Sequence, residues 1–215
     1  MVDVALFPIP NSVNFPWVPC PLHVFEPRYR KMVHHCLQED MLVGVCHTQK
    51  LVHSSAREQT IEEALHSNQA TYKPCAVFSA GPVQLLQELE DGRLLIQVDT
   101  RLRLQLRREK QTLPFSVWAC EELSDEANES ADALAQCQAK ILHRLVAMTH
   151  TNQQAQETLQ SEYWQAMPAD KFSFAVAGLL AMEADLAQHL LEMTSAQRRL
   201  ETVLDMLNGI ATSAS

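Results

Sequence analysis

Histidine and cysteine side chains cluster early in the chain, where they could in principle bind a metal ion. His34, His35 and Cys36 are consecutive, and Cys46 and His47 follow ten residues later. Zinc sites commonly use Cys-x₂₋₄-Cys or His-x₃₋₅-His spacing, and this group has neither. Neighbouring residues on a helix also point about 100° apart, so the first three side chains cannot easily converge on one ion. We therefore expect one buried thiol and two surface imidazoles here, with no metal and no cofactor.

The sequence offers little for nucleophilic or nucleotide chemistry. A cysteine nucleophile needs a basic partner and a lowered pKa, and Cys20 with His23 is the one suggestive pair. Alternation along a strand would place these two side chains on opposite faces. The five glycines are not spaced for a Gly-x-x-x-x-Gly-Lys phosphate loop, and neither a Gly-x-Ser-x-Gly elbow nor a His-Glu-x-x-His helix occurs. We therefore expect no enzymatic activity.

Glu26, Arg28, Tyr29 and Arg30 form a charged and aromatic group. In the structural interpretation, Glu26 caps a helix, Arg28 pairs with a carboxylate or carbonyl, and Tyr29 packs against the core. In the functional interpretation, the four side chains line the rim of a groove for an extended polypeptide.

A basic stripe later in the chain could contact nucleic acid. Arg101, Arg103 and Arg107 alternate with the leucines of 102–106, which predicts that the arginines face outward, and Arg108 extends the stripe. The formal net charge of −9 favours a solvated polar face, because non-specific nucleic-acid binding requires a basic surface. We therefore do not expect nucleic-acid binding to be the main role, and an RNA-binding module of PUA-like type is the alternative function.

A proline-rich stretch must position the Glu26 group. Six prolines occur between residues 8 and 27, and each fixes φ and removes a backbone donor. No long helix or central strand can therefore run through 8–21. Leu22, Val24 and Phe25 then predict a buried strand. Pro27 suits a first helical turn, and the apolar spacing that follows predicts a helix over 27–39.

The rest of the chain changes from strand to helix patterning. Period-two alternation over 74–123 predicts five or six short strands, with a hairpin at 91–92, and favours a closed or half-closed barrel. The preceding segment, 48–70, is polar and irregular, with helical potential over 56–66. After residue 124, alanine, glutamine, glutamate and leucine dominate at helical spacing.

Caps and stop signals predict where the carboxy-terminal helices begin and end. Ser124 is expected to cap the first of them. Thr194 and Gln197 have the spacing of a capping box for the last helix, and Gly209 is expected to end it.

Two segments resemble the signature of a known family. LFPIPN at 6–11 and PLHVFEPRYR at 21–30 are similar to the opening of the amino-terminal domain of ATP-dependent protease La (Lon). The hairpin at 81–94 and the final helix at 190–207 resemble that domain as well, so the likeness extends over almost the whole chain. Trp17 is a departure, because the family usually has glycine there, the residue that favours a tight turn with positive φ.

The resemblance implies an α+β fold. It comprises a PUA-like mixed β-barrel with one embedded helix over 1–123, then a helical bundle over 124–215, which together make one domain of the Lon amino-terminal type. It also implies non-catalytic recognition of unfolded or extended polypeptide. Full-length Lon enzymes carry a AAA+ motor and a proteolytic domain after this domain, and the sequence ends before either. We therefore expect a stand-alone adaptor or holdase that works with a separate AAA+ protease.

The residue types and the resemblance together suggest a set of substrate-binding residues. Three aromatic side chains and the charged group described above are the candidates: Trp17, Phe25, Glu26, Arg28, Tyr29 and Trp118.

The composition of the 215 residues is typical of a folded protein in a reducing compartment. The amino terminus lacks the basic and apolar regions of a signal peptide, and the longest nearly apolar run, 172–182, is too short to span a membrane. Without an export signal, the six cysteines are expected to be reduced thiols. We therefore expect a cytoplasmic protein that does not bind membranes, with an oligomeric state that the sequence leaves open.

Overall fold

The protein is described by a computed structural model for residues 1–54, 70–127 and 129–213. These ranges contain ten strands and seven helices, in agreement with the expected α+β class. The strands are β1 (Val2–Pro8), β2 (Cys20–Val24), β3 (Leu42–Cys46), β4 (Thr48–Ser54), β5 (Ala70–Pro74), β6 (Val77–Gly81), β7 (Val83–Glu88), β8 (Leu94–Val98), β9 (Leu102–Gln111) and β10 (Val117–Glu122). The helices are α1 (Pro27–Glu39), α2 (Ala131–Met148), α3 (Gln153–Leu159), α4 (Glu162–Gln165), α5 (Ala169–Ala177), α6 (Ala184–Glu192) and α7 (Ala196–Ser213).

Five strands close into a barrel in the order β1–β10–β9–β6–β3. The closing pair, β1 with β3, is parallel, whereas the other pairs are antiparallel, so the barrel is mixed as expected. Side chains fill its interior. A Cβ atom on Gly44 would lie 2.3 Å from Cε2 of the buried Phe78, so glycine makes room for that ring.

A second sheet of three antiparallel strands has the order β2–β8–β7. Its inner face contributes Val24, Leu94 and Ile96 to a core that also contains Met32 and Val33 of α1. Strands β2 and β7 form the two edges of this sheet. Edge position explains how β2 tolerates Pro21, which cannot donate a ladder hydrogen bond.

Helix α1 has the predicted bounds, 27–39, and buries the predicted apolar face except for Leu37, which is 40% exposed. It ends at Asp40, whose φ of 52° lies in the left-handed region. The strand before it ends at Val24. The prediction that Phe25 lies in a buried strand is therefore wrong, because the chain turns into the helix at this point and leaves the phenyl ring 63% exposed.

The proline-rich crossing between β1 and β2 is held by hydrogen bonds to Thr100. The amide of Trp17 donates to the Thr100 carbonyl at 2.7 Å, and the Thr100 hydroxyl donates to the carbonyl of Val18 at 2.7 Å. The Asn14 side chain donates to the same hydroxyl oxygen at 2.8 Å. Trp17 has a φ of +69°, so the chain makes a positive-φ turn here with tryptophan in place of the family's glycine.

Strands β4 and β5 pair with each other as a separate two-stranded sheet. The prediction that 48–70 is irregular is therefore wrong at both ends of that segment. The helical potential predicted over 56–66 lies outside the residues that the structure describes.

The chain forms two compact units, one of residues 1–123 with 182–191 and the other of 124–181 with the residues from 192 onward. Helix α6 thus belongs to the barrel unit. Gln188 donates to the carbonyl of Val77 at 3.0 Å, and Arg103 donates to the carbonyls of Leu123 at 2.9 Å and Leu191 at 3.2 Å. The predicted division into subdomains at residue 123 stays a prediction, because compactness does not test independent folding.

Arg103 is a correction to the predicted barrel pattern. Alternation places its side chain outward, but it is only 5% exposed. The reason is that its guanidinium group lies under α6 and donates to two main-chain carbonyls, which period-two patterning within one strand cannot reveal.

The caps of the helical unit also differ from the predictions. Helix α2 is capped by Ser130, whose hydroxyl accepts from the amide of Ala133, and Ser124 has no such role. At α7 the hydroxyl of Ser195 accepts from the amide of Arg198 at 3.1 Å, so the predicted capping box at Thr194 is wrong.

Glu129 supplies most of the capping at the start of α7. Its carboxylate accepts hydrogen bonds from the amides of Ala196 and Gln197 at 3.0 and 3.1 Å. The helix then continues through Gly209 to Ser213, so the expected stop at Gly209 is also wrong. Over the described ranges, no helix combines the length and apolar character needed to cross a membrane.

Candidate functional site

An exposed aromatic side chain marks the junction between β2 and α1. Phe25 is 63% exposed, and the ring of His23 packs against it edge-on at 6.4 Å between centroids. Since the sheet buries its inner face, both rings lie on the opposite, outer face of β2. A large apolar group left in solvent at a strand end is a candidate contact for a binding partner.

The outer face of the same sheet continues across β8 and β7. His23 pairs with Leu95, which pairs with Gln87 on the other side. The β7–β8 ladder has an irregularity between Leu85 and Gln87, and the inserted residue, Leu86, is 58% exposed. Bulges commonly redirect a side chain in this way. We define the Phe25 surface as Phe25, Leu86 and the two edge strands β2 and β7.

Arg28 organises the first turn of α1 beneath Phe25. Its guanidinium group pairs with the Glu26 carboxylate at 3.0 Å and lies 4.7 Å from the centroid of the Tyr29 ring. The Tyr29 ring in turn stacks on Phe7 at 4.5 Å, so Tyr29 packs into the core as the structural interpretation expects.

Glu26 occupies the N-cap position of α1, but its carboxylate makes no hydrogen bond to the helix amides. The carboxylate is engaged by Arg28 instead, and only the Glu26 carbonyl accepts the first helical hydrogen bonds, from Tyr29 and Arg30 at 3.0 Å. The side-chain cap predicted for Glu26 is therefore wrong, whereas the ion pair predicted for Arg28 is present.

The β7–β8 turn lies beside the start of α1. Arg30 donates to the carbonyl of Asp91 at 3.4 Å and covers Gly92, which has a φ of +77°. Asp91 pairs with Arg93 at 2.7 Å. Hydrogen bonds from the backbone amide and side chain of Arg93 lower the pKa of Asp91. The polar edge of the Phe25 surface is therefore made of short-range ion pairs.

The other two aromatic candidates lie elsewhere in the barrel unit. Trp17 is half-buried in the proline-rich crossing. Trp118 is half-buried on β10, where its indole donates to the hydroxyl of Ser116 at 2.8 Å and packs against the barrel interior. The structure brings Phe25, Glu26, Arg28 and Tyr29 together. Sequence analysis missed Leu86, whose exposure follows from the bulge in β7.

Comparison with known proteins identifies the family of this chain. The family model of the ATP-dependent protease La (LON) substrate-binding domain matches residues 3–209. The chain belongs to this family. The resemblance found in the sequence is thereby confirmed, and the matched domain is a substrate-binding, non-catalytic one.

Two solved structures are similar to this Lon-type domain. One is the N-terminal domain of Mycobacterium avium complex Lon protease, with 12% identity, a TM-score of 0.69, and coverage of 96% of this chain and 98% of that one. The other is a Lon N-terminal domain protein from Xanthomonas campestris, with 21% identity, a TM-score of 0.58, and coverage of 95% and 98%. At these identities the likeness concerns the fold.

The histidine and cysteine cluster of α1 is dispersed in this Lon-type domain. His34 is exposed, His35 is half-buried against the ring of Phe115 at 5.6 Å, and burial raises the pKa of the Cys36 thiol to about 12. Burial likewise raises the pKa of Cys20 to about 11, which makes it a poor nucleophile. Within the part of the chain that the structure describes, no three potential metal ligands come together.

Three of the four arginines in the basic stripe at 101–108 are paired or buried, whereas Arg108 is exposed. Arg101 pairs with Asp99 at 2.5 Å and Arg107 with Glu121 at 2.8 Å, while Arg103 is buried. These pairs leave little of the positive face that contact with phosphates would require.

Proposed function

We propose that this Lon-type domain binds exposed, extended segments of unfolded polypeptide at the Phe25 surface. The observation that supports the proposal is the exposure of Phe25, 63%, at the end of an edge strand. Burial of a phenylalanine side chain contributes about 1.5–3 kcal/mol, enough to select apolar segments. The family assignment to a substrate-binding domain points in the same direction.

The two edges of the β2–β8–β7 sheet give the proposed contact its shape, with Phe25 at the end of β2 and Leu86 on β7. An extended segment can add to β2 or β7 through main-chain hydrogen bonds, which makes recognition tolerant of sequence. Pro21 removes one donor from β2, whereas β7 has no proline and offers the more continuous edge. Apolar side chains of the bound segment would then contact Phe25 and Leu86, and Trp17 and Trp118 would serve the barrel rather than the partner.

We further propose that the protein is not an enzyme and acts as an adaptor or holdase for a separate AAA+ protease. No residue of the Phe25 surface has the arrangement of a nucleophile with its base. A cytoplasmic location fits this role, since all six cysteines are free thiols. RNA binding, the alternative, is not favoured, because Arg101 and Arg107 are paired with carboxylates and Arg103 is buried.

The test is binding of the purified protein to labelled, reduced and alkylated casein, followed by fluorescence anisotropy. We expect saturable binding that weakens about tenfold in Phe25→Ala, as the loss of an exposed anchor of this size predicts. Tyr163→Ala is the matched control, because Tyr163 is a similarly exposed aromatic residue, at 62%, in the helical unit. Equal affinities for wild type and Phe25→Ala, or binding of a labelled RNA alone, would refute the proposal.

A second assay tests the adaptor role separately. A purified AAA+ protease would degrade the labelled casein with and without the protein. An adaptor accelerates degradation and a holdase slows it, and Phe25→Ala should abolish either effect. If the protein binds casein but does not change the rate of its degradation, the proposed recognition of polypeptide stands and the adaptor and holdase roles are refuted.

A further inference from the structure

A second surface, in the helical unit, has the features of a binding site for anionic groups. Helices α2 and α7 border a groove of about 500 Å³, which we call the α2–α7 groove. It is distinct from the Phe25 surface. It is lined by Ala139, Lys140, His143, Arg144, Leu204 and Asn208.

Among the residues that the structure describes, the cations of the groove form no ion pair. The Nε atom of Arg144 is buried and has no hydrogen-bond acceptor. Neither Arg144 nor Lys140 forms a salt bridge within the described ranges, in contrast to Arg28, Arg107 and others. A buried donor without an acceptor costs about 1–3 kcal/mol, which a ligand oxygen at this position would recover.

Acidic side chains of α7 approach this region without neutralising it. The pKa of Cys137 is raised by burial and then by the charges of Glu201 and Asp205, while Lys140 lowers it. Glu201 is engaged by the side chain of Gln197 at 2.9 Å, and neither acid pairs with a groove cation in the residues described. The positive charge on the α2 side is therefore available to a ligand.

We propose that the α2–α7 groove binds an acidic, amphipathic peptide segment of a partner protein. Carboxylates would pair with Arg144 and Lys140, and His143 would add a donor at the rim. Apolar side chains of the segment would pack on Ala139 and Leu204, which form the uncharged part of the lining. In a chain of net charge −9, a groove with three basic side chains is complementary to an acidic partner.

A nucleic acid fits this groove less well than a peptide. Recognition of single strands relies on aromatic side chains that stack on bases, and the lining has no aromatic side chain beyond the imidazole of His143. The apolar contribution of Leu204 instead suits the aliphatic side chains of a helical segment.

The experiment uses the full chain and a fluorescein-labelled peptide with leucine and glutamate at helical spacing, together with a matched peptide in which glutamine replaces every glutamate. Anisotropy at two salt concentrations should show saturable binding of the acidic peptide that weakens with salt. Arg144→Gln should weaken it about tenfold or more, the scale expected for a charge-assisted pair. Arg144→Lys keeps the charge and loses the Nε donor. Its affinity for the acidic peptide should lie between those of the wild type and Arg144→Gln.

Two control variants keep the proposal falsifiable. Arg198→Gln removes an exposed cation of α7 that does not line the groove, and Phe25→Ala alters the other surface, so both should bind the acidic peptide normally. Circular dichroism would check that Arg144→Gln is folded. Equal binding of the two peptides, unchanged binding by folded Arg144→Gln, or full displacement of the peptide by an RNA would overturn the proposal.

Discussion

Arg28 and Arg199 have the same kind of environment in two different regions. Each arginine pairs with a carboxylate and lies over an aromatic ring. Arg28 pairs with Glu26, two residues away, and the two side chains are 8% and 32% exposed. Arg199 pairs with Asp125, far away in sequence, and the two side chains are 1% and 19% exposed.

Arg199 makes many more contacts than one ion pair. Its guanidinium group donates to both carboxylate oxygens of Asp125, to the hydroxyl of Ser173 at 3.0 Å, and to the carbonyl of Met193 at 2.7 Å. It also lies 3.9 Å from the centroid of the Phe174 ring. One side chain therefore ties a loop, α5 and the start of α7 together.

The difference separates a region built for stability from one suited to binding. In the helical unit, stability is concentrated in a buried cation that donates four hydrogen bonds. At the β2–α1 junction it is spread over short-range pairs and a positive-φ turn, and Phe25 is left in solvent. Removal of one side chain at the junction should therefore lower the free energy of unfolding less than removal of Arg199. The following substitutions test this difference.

Arg199→Ala should produce the largest effect. It removes the buried cation that pairs with the Asp125 carboxylate, and breaking a buried pair costs about 3–5 kcal/mol. Urea unfolding monitored by circular dichroism measures the change. Arg198→Ala, at the exposed neighbouring position, should shift stability by less than about 0.5 kcal/mol. A loss for Arg199→Ala no larger than that of Arg198→Ala would contradict the idea of concentrated stability.

Arg28→Ala should have an intermediate effect of about 1–2 kcal/mol. The substitution removes a partly solvated ion pair, the contact with the Tyr29 ring, and buried aliphatic packing. The same unfolding assay applies. The comparison fails if this variant loses as much stability as Arg199→Ala.

Replacement of Trp17 tests whether the positive-φ turn stores strain. Trp17→Gly and Trp17→Ala both remove the indole, but only glycine adopts a φ of +69° without steric cost. We expect the glycine variant to be more stable than the alanine variant by about 1 kcal/mol. Thermal unfolding of the pair measures the difference, and a more stable alanine variant would show that the turn relaxes.

Asp91 should give the smallest effect, through pH. Its pKa is lowered in the folded state, so its contribution is present above the unfolded value and is lost as pH falls through the folded value. The difference in melting temperature between wild type and Asp91→Asn should therefore be constant well above the unfolded pKa of about 4 and shrink as the pH falls below it. A difference that grows on acidification would have the wrong sign.

Local patterns predicted the elements whose determinants lie within a few residues. Pro27 and the spacing of Tyr29, Met32 and Cys36 were sufficient for the bounds of α1. The use of the charged group at 26–29 for substrate binding stays a prediction.

Distant partners account for the errors. Arg103 is buried because α6 covers it. Glu129 caps α7, which begins at Ala196, 67 residues later, so only the tertiary structure brings the two together. The burial of Phe25 was predicted wrongly because alternation cannot show where a strand stops. Leu86 was missed because a bulge breaks the period on which the prediction rests.

Membership of α6 in the barrel unit has a consequence for synthesis on the ribosome. The strands of that unit are all made within the first 123 residues, yet the carbonyl of Leu191, which accepts from Arg103, is made much later. A nascent chain that ends after β10 would contain all the strands of this unit. The Leu191 carbonyl, one of the acceptors for Arg103, would not yet have been synthesised. Vectorial folding of the barrel therefore finishes only after most of the helical unit has been translated.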